Sequence, residues 1–322
     1  KMRWCASTGS CLAATAFFRK PTGFSIVYHI FFSLQGGPFI SIGLVIYIRI
    51  NYNENYESHR PGDFRRKGES HMRKRIVLSA ALLLILSGCI LAACFYTGVL
   101  LFNNPSKKDY PVRGVDVSSY QGEIDWPLLA EQDIQFAFIK ATEGSSLVDP
   151  CFESNYAGAA QTSLRIGAYH FFSYDSSGEA QADLFTATVP PLKNMLPPVI
   201  DVEFYGDKET HPPDRAEVME NLTVMIRRLE EHYGMTPILY ATEKSYRLYL
   251  ADAFEECDIW IRDVVSRPVL SDGREWTFWQ YANRGRLKGY AGREPYIDLN
   301  VWQGDTEEFA AYPSSKGHAP LV

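Results

Sequence analysis

Residues 197–204 read Pro-Pro-Val-Ile-Asp-Val-Glu-Phe, an apolar run that carries two carboxylates. Side chains two positions apart leave the same face of a β-strand, so Asp201 and Glu203 share one face. Two like charges held this close raise the pKa of one carboxyl and provide a proton donor near neutral pH. One protonated acid beside one ionised partner suits glycoside hydrolysis. A divalent-cation site is the alternative for the same pair.

Runs of the same kind recur on both sides of this stretch and alternate with helical segments. Several are almost continuously apolar, as parallel strands covered on both faces are. The pattern predicts an α/β fold, a TIM-like barrel that loses its helices late, with a doubly wound open sheet as runner-up. The predicted strands are Val112–Val117, Phe136–Ala141, Ile166–Phe172, Pro198–Phe204, Ile238–Thr242, Ile259–Arg262, Thr277–Tyr281 and Ile297–Val301. The predicted helices lie near 127–133, 149–163, 177–188, 213–233 and 244–253.

Further polar and aromatic residues fall near the predicted strand ends, where a barrel builds its active site. Asp116 and Asp298 are the additional acids. His170 is expected to be a hydrogen-bonded barrel histidine, and Lys140 with Glu143 a structural ion pair at the rim. Aromatic rings beside acids suit sugar binding, although the same rings could simply be core. The aromatic candidates are Tyr169, Tyr240, Trp279 and Tyr281.

The net charge of −6 over 322 residues is unevenly distributed. Residues 1–75 hold twelve basic and four acidic residues, a net of +8, and the remainder has a net of −14. Nucleic acid is excluded as a partner of the acidic part, because phosphate binding needs a basic face. Of the six cysteines, only Cys151 and Cys257 lie after residue 102, in the part predicted to be exported, and two isolated thiols are expected there rather than a disulfide.

Residues 76–102 form an uncharged run of 27 residues, long enough to cross a bilayer as a helix. The basic residues before it predict a signal anchor, with everything after 102 outside the cytoplasmic membrane. A lipoprotein attached through Cys89 or Cys94 is the runner-up. The predicted boundaries are 72–102 for flank and anchor, 103–110 for a linker, 111–306 for the catalytic barrel and 307–322 for a tail. Residues 1–71 are an uncertain extension: upstream sequence before Met72, or a second span over Phe24–Ile48.

Six short motifs follow one another in order along residues 113–305. They are Asp116–Gly122, Phe138–Gly144, Gly167–Phe171, Asp201–Glu203, Trp279–Tyr281 and Asp298–Asn300. With these motifs in this order, residues 113–305 resemble glycoside hydrolase family 25, the lysozymes of the Chalaropsis type. Asp133 replaces a frequent glycine of the family, and Trp260–Asp263 departs from its commoner W-x-A-x-Y pattern, a change that could alter a substrate contact.

The resemblance implies a (β/α)5(β)3 barrel that cleaves the β-1,4 bond between N-acetylmuramic acid and N-acetylglucosamine in peptidoglycan. It implies Glu203 as general acid and Asp201 as the group that orients the acetamido group or stabilises the transition state. Asp116 and Asp298 would complete the acidic cleft, and the four aromatic candidates would line the sugar subsites. No metal or organic cofactor is implied.

The expected partners are peptidoglycan glycan strands and the membrane, and the catalytic domain is expected to be a monomer. A tethered enzyme outside the membrane suits remodelling of the cell's own wall. A non-catalytic peptidoglycan-binding protein on the same barrel is the principal alternative, and a metal-dependent hydrolase is the third.

Overall fold

The structure, a computed structural model, describes residues 25–29, 45–49 and 63–313. The chain divides into two compact units, Lys1–Ala81 and Leu82–Val322. In the first unit, strands β1 (Ser25–His29) and β2 (Val45–Arg49) pair antiparallel. They lie at the two ends of the stretch considered as a second span, and the rest of that stretch falls outside the described residues.

Helix α1 (Asp63–Tyr96) contains the predicted anchor except for its last six residues. Lys74–Tyr96, with a mean hydropathy of 2.7, is the one helix within 63–313 that is long and apolar enough to cross a membrane. At 1.5 Å per residue its 23 residues span about 35 Å. Gly98 adopts the left-handed conformation (φ 66°) just after the helix, as a C-terminal cap does. The helix therefore stops six residues before the end of the predicted uncharged run.

Eight strands of the second unit close into a barrel, each hydrogen-bonded to its neighbours, and the circle is completed where β3 (Arg113–Val117) pairs with β4 (Phe136–Glu143). The expected barrel is thus confirmed as a closed mixed α/β structure, and the open-sheet alternative is wrong. Strand β5 (Leu147–Val148) adds a short hairpin to β4. The barrel strands are β3 (Arg113–Val117), β4 (Phe136–Glu143), β6 (Arg165–Phe171), β7 (Val199–Val202), β8 (Ile238–Thr242), β9 (Ile259–Arg262), β10 (Phe278–Gly285) and β11 (Ile297–Trp302).

Helices connect most of the parallel strands. The longest, α5, begins after Asp214, whose carboxylate accepts hydrogen bonds from Ala216 N (2.9 Å) and Glu217 N (3.2 Å), and it ends at Gly234 (φ 64°). These are a typical N-cap and C-cap. The helices are α2 (Trp126–Ala130), α3 (Phe152–Ala159), α4 (Gly178–Thr188), α5 (Arg215–Tyr233), α6 (Glu243–Ser245) followed by a π-helical turn (Tyr246–Leu250), and α7 (Thr306–Ala311).

Alternation along the strands divides the side chains between the barrel interior and an outer layer. In β4, Phe136 and Phe138 belong to the interior cluster, whereas Ala137 and Ile139 pack in the outer layer. Phe309 of α7 and the adjacent Tyr312 join the interior cluster from the bottom, the end where the parallel strands begin. The opposite end, where those strands finish, is called the mouth.

Candidate active site

Asp201 and Glu203 lie at the mouth, at the end of β7. Asp201 is 5% exposed, and burial together with the nearby charge of Glu203 raises its pKa well above the usual range. In the described part of the chain, its Oδ1 is buried without a hydrogen-bond partner. Burial also raises the pKa of the half-buried Glu203, and the charge of Asp116 adds to the shift. Strand β7 ends at Val202, so Glu203 lies one residue beyond it, and the structure brings these two carboxyls with raised pKa values together.

Asp116, in β3, is fixed by two amide side chains. Asn300 Nδ2 donates to its Oδ2 at 2.6 Å, and Gln280 Nε2 donates at 3.1 and 2.9 Å to its two oxygens. Both amides are themselves oriented, because Tyr240 Oη donates to Gln280 Oε1 (3.0 Å) and Trp260 Nε1 donates to Asn300 Oδ1 (2.8 Å). Burial raises the pKa of Asp116 to about 6, even though the two amide donors act in the opposite direction.

Asp298 completes the acidic group, since its backbone lies opposite Asp116 in the β11–β3 register. Burial, followed by the charge of Asp116, raises the pKa of Asp298 well above the usual range. Tyr240 is buried and Tyr169 is half-buried beside the acids, whose charges add to the burial that raises the pKa of both phenols. The structure therefore brings together all four predicted acids and two of the four predicted aromatic residues.

Trp279 and Tyr281 lie elsewhere, which corrects the expectation that they line the sugar subsites. Their neighbour Gln280 points inward to Asp116, so alternation turns both rings to the outer layer. Trp279 Nε1 donates to Asp263 O at 2.8 Å, and Tyr281 Oη accepts from Arg113 Nη1 at 3.3 Å. The aromatic residues of this motif serve packing, while the glutamine between them serves the site.

Two cations face the acids. Lys140 forms the predicted ion pair with Glu143 (2.7 Å), and its charge also lowers the pKa of Asp201 and Glu203. Arg262, at the end of β9, was not among the predicted site residues. Its charge lowers the pKa of Asp116, Glu203 and Asp298, yet within residues 71–313 its guanidinium makes no hydrogen bond or ion pair. The only sequence signal for it is the departure from the family pattern at Trp260–Asp263.

His170 has the structural role expected of it. The ring is fully buried; Nε2 is 3.0 Å from Gln181 Oε1, to which it donates, and Nδ1 is 2.7 Å from Thr142 Oγ1, from which it accepts. Burial lowers its pKa to about 4, so the ring is neutral at physiological pH. Cys151 and Cys257 are free thiols, as expected. Within the described ranges, no three His, Cys, Asp or Glu side chains are arranged to hold a metal ion.

Known proteins share the sequence pattern and the fold of this chain. The Glycosyl hydrolases family 25 profile matches residues 115–290. A family 25 glycosyl hydrolase structure from Bacillus anthracis is 56% identical and superimposes with a TM-score of 0.63 over 66% of this chain and 97% of that one. Lysozyme M1 of Streptomyces globisporus is 31% identical over 217 residues, 62% of this chain and 70% of that protein. The N,O-diacetylmuramidase of Chalaropsis is 31% identical over 140 residues, 40% of this chain and 65% of that protein. The profile covers more than half of the chain, and the chain therefore belongs to glycosyl hydrolase family 25.

Proposed function

We propose that the protein is a peptidoglycan muramidase that hydrolyses the β-1,4 bond between N-acetylmuramic acid and N-acetylglucosamine. The observation that carries the proposal is the group of four carboxyls at the barrel mouth, all with raised pKa values. Such a group holds a proton at neutral pH beside an ionisable partner, which is what glycosidic cleavage requires. Relatives named lysozyme and N,O-diacetylmuramidase support the same activity.

Glu203 is the proton donor in this proposal. It is more exposed than Asp201, so a glycosidic oxygen can reach it, and its raised pKa keeps it protonated to higher pH than an ordinary glutamate. It gives its proton to the departing sugar oxygen as the bond to the anomeric carbon breaks. Water supplies the hydroxyl group that the anomeric carbon finally receives.

Asp201 is the partner that meets the acetamido group of the substrate. Its buried Oδ1 has no hydrogen-bond partner in the described chain, and an amide N–H would satisfy it. This contact would orient the acetamido group beside the reacting carbon. Asp116 and Asp298 hold substrate hydroxyls, the charge of Asp116 tunes Glu203, and Tyr169 and Tyr240 form the wall beside them.

The barrel has the (β/α)5(β)3 arrangement in this proposal. The first five parallel strands are each followed by a helix, and β9, β10 and β11 follow one another without one. The domain limits are those of the sequence analysis, with the barrel at 111–306. Beyond 306, α7 places Phe309 in the interior cluster, and residues 314–322 fall outside the described chain.

The barrel is tethered outside the cytoplasmic membrane through α1 in this proposal. Lys74–Tyr96 is apolar and its side chains are exposed, an arrangement that suits lipid better than water. The basic residues in the first part of α1, before its apolar run, favour a cytoplasmic location for the start of the helix. A lipid on Cys89 or Cys94 would tether the barrel on the same side.

The test is digestion of purified bacterial peptidoglycan by the detergent-solubilised full chain, with the released fragments identified by mass spectrometry. The proposal predicts fragments that end in reducing N-acetylmuramic acid. Fragments that end in reducing N-acetylglucosamine would show a glucosaminidase instead. Binding to peptidoglycan without any release would show a non-catalytic glycan-binding protein and would contradict every catalytic role given above.

A further inference from the structure

The chain that leaves α1 is fixed to the barrel rather than freely tethered. Arg286 donates from Nε and Nη2 to Thr97 O at 3.0 and 2.6 Å. Arg284 donates to Tyr96 O, and its guanidinium lies 4.8 Å from the centre of the Tyr96 ring. Phe95 stacks on Phe102 at 4.3 Å. These contacts all lie within the compact unit Leu82–Val322, and those of the two arginines hold the end of the helix against strand β10 and the residue that follows it.

The contact lies at the mouth of the barrel. Strand β10 runs parallel to β9, and Gln280, which binds Asp116, is level with Arg262 at the end of β9. Arg284 and Arg286 follow Gln280, so they project beyond the mouth on the β10–β11 hairpin. Asn103 Nδ2 donates to the carbonyls of Asp263 (3.1 Å) and Ser266 (3.3 Å), in the loop just after β9.

The path of residues 104–112 agrees with this placement. The ring of Tyr110 packs against Trp276 (5.9 Å) and Trp279 (6.0 Å) on the outer wall. Val112 O then accepts from Trp302 N at 3.1 Å, at the bottom of the barrel. Residues 104–112 thus run down the outside of the barrel from the mouth to the first strand. The linker residues lie along the outer wall of the barrel, so they do not separate the end of the helix from the mouth.

An open apolar groove of about 630 Å³ lies between the helix end and the rim. Leu91 and Phe95 line one side, and Val264 and Val265 of the loop after β9 line the other. Val265 is 66% exposed. Because the groove is continuous with the apolar surface of α1, its surroundings suit acyl chains rather than water.

We propose that this docking holds the catalytic mouth at the outer surface of the cytoplasmic membrane. The enzyme would then cut membrane-attached glycan strands close to their lipid end. The proposal rests on the muramidase activity and the membrane anchor proposed above. The rim hairpin lies within hydrogen-bond distance of Tyr96, the last residue of the apolar span, and so cannot move far from the interface. The opposite end of the barrel would face away from the lipid.

The first test measures the placement directly in the full chain, reconstituted in vesicles of phosphatidylethanolamine and phosphatidylglycerol. Its native cysteines other than the buried Cys257 are changed to serine. A fluorophore is attached at Asn283→Cys, on the rim, or at Lys193→Cys, at the bottom. A nitroxide attached to the lipid should quench the rim fluorophore several-fold more strongly than the bottom one. Equal quenching, in a chain that floats with the vesicles, would overturn the proposal.

The second test measures the consequence for substrate choice. The probes are uncrosslinked glycan strands carried on a polyprenyl lipid in the same vesicle, and soluble strands of equal length. The wild-type chain should cleave the lipid-linked strands several-fold faster. The double variant Arg284→Ala/Arg286→Ala should lose this preference and keep its rate on soluble strands. The matched control is Arg227→Ala/Arg247→Ala, which removes two exposed arginines of the outer layer and should keep the preference.

The outcomes separate the underlying proposals. A floating chain with strong rim quenching but no cleavage of either glycan would refute the muramidase activity and leave the placement standing. A chain that does not float would refute the anchor and this inference together. A double variant that keeps the full preference would refute the role of the two arginines.

Discussion

The two ends of the barrel are built from the same strands but in opposite ways. The bottom is closed by aromatic rings: Phe136 lies 5.2 Å from Phe278 and 5.6 Å from Phe309, and Trp302 lies 5.4 Å from Phe309. The mouth instead gathers four carboxyls, and burial is the first cause of the raised pKa of each. From this difference we expect the bottom to stabilise the fold, and the burial of acids at the mouth to cost stability at neutral pH.

The largest expected effect is at the mouth. Replacement of Glu203 by glutamine removes the proton donor and should lower kcat by about 10²–10⁴-fold, the usual contribution of general acid catalysis. The measurement is the rate of reducing-end release from peptidoglycan. Glu220→Gln, on the exposed surface of α5, is the matched control and should keep the wild-type rate. A Glu203→Gln variant within a few-fold of wild type would remove Glu203 from the mechanism.

The next effect is at the bottom. Phe136→Ala removes a fully buried ring from the interior cluster and should lower the free energy of unfolding by about 3–5 kcal/mol. Denaturant unfolding of the solubilised chain measures it. Leu128→Ala, at a partly exposed position of α2, should cost far less. Equal losses from the two variants would contradict the account of the bottom as the stabilising end.

Asp201→Asn should separate stability from activity. The folded-state pKa of Asp201 is raised, so the carboxyl favours folding below its unfolded pKa of about 3.9, and this contribution is lost as pH rises through the folded pKa. The neutral amide avoids that loss. We expect the variant to be about 1 kcal/mol more stable than wild type at pH 7, with no gain near pH 4, and to be inactive. Thermal melts at the two pH values test this, and a variant that is less stable at pH 7 would contradict it.

Arg262→Ala should produce the smallest change, a shift in pH dependence. The arginine lowers the pKa of Glu203, so its removal raises that pKa and keeps the acid protonated to higher pH. The alkaline limb of the kcat/KM profile should move upward by a fraction of a pH unit, whereas Arg262→Lys, which keeps the charge, should leave it in place. A downward shift of this limb in the alanine variant would contradict the assignment.

The mouth and the bottom also differ in how far the sequence predicts them. The two-residue spacing of Asp201 and Glu203 predicts that they lie close together, and the charge of Glu203 does act on Asp201 in the structure. Alternation alone did not show which residues of Trp279–Tyr281 face inward. A barrel strand is covered by apolar side chains on both sides, so its apolar residues do not distinguish the inner face from the outer one. Asp116, Gln280 and Asn300 lie on three different strands. Their hydrogen bonds can therefore be seen only in the closed barrel and not in the sequence.

The end of the anchor illustrates the same limit. In the sequence, the uncharged run continues to Phe102, but the helix ends at Tyr96. It ends there because Gly98 takes the left-handed conformation and because Arg284 and Arg286 bind the carbonyls of Tyr96 and Thr97. Gly98 is visible in the sequence. Nothing in the sequence indicates that the two arginines, nearly 190 residues further on, bind the carbonyls at the end of the helix. Local signals predicted elements well here, and long-range contacts set where they end.

The most direct test of the difference between the mouth and the bottom measures two variants at pH 7. For each variant, both the rate of peptidoglycan cleavage and the free energy of unfolding are determined. Glu203→Gln should lose at least about 100-fold in cleavage rate and keep or increase its stability. Phe136→Ala should lose about 3–5 kcal/mol of stability, and its remaining folded fraction should cleave at close to the wild-type rate. Loss of stability in Glu203→Gln comparable to that in Phe136→Ala would show that the mouth carboxyls hold the fold together, and would contradict the account.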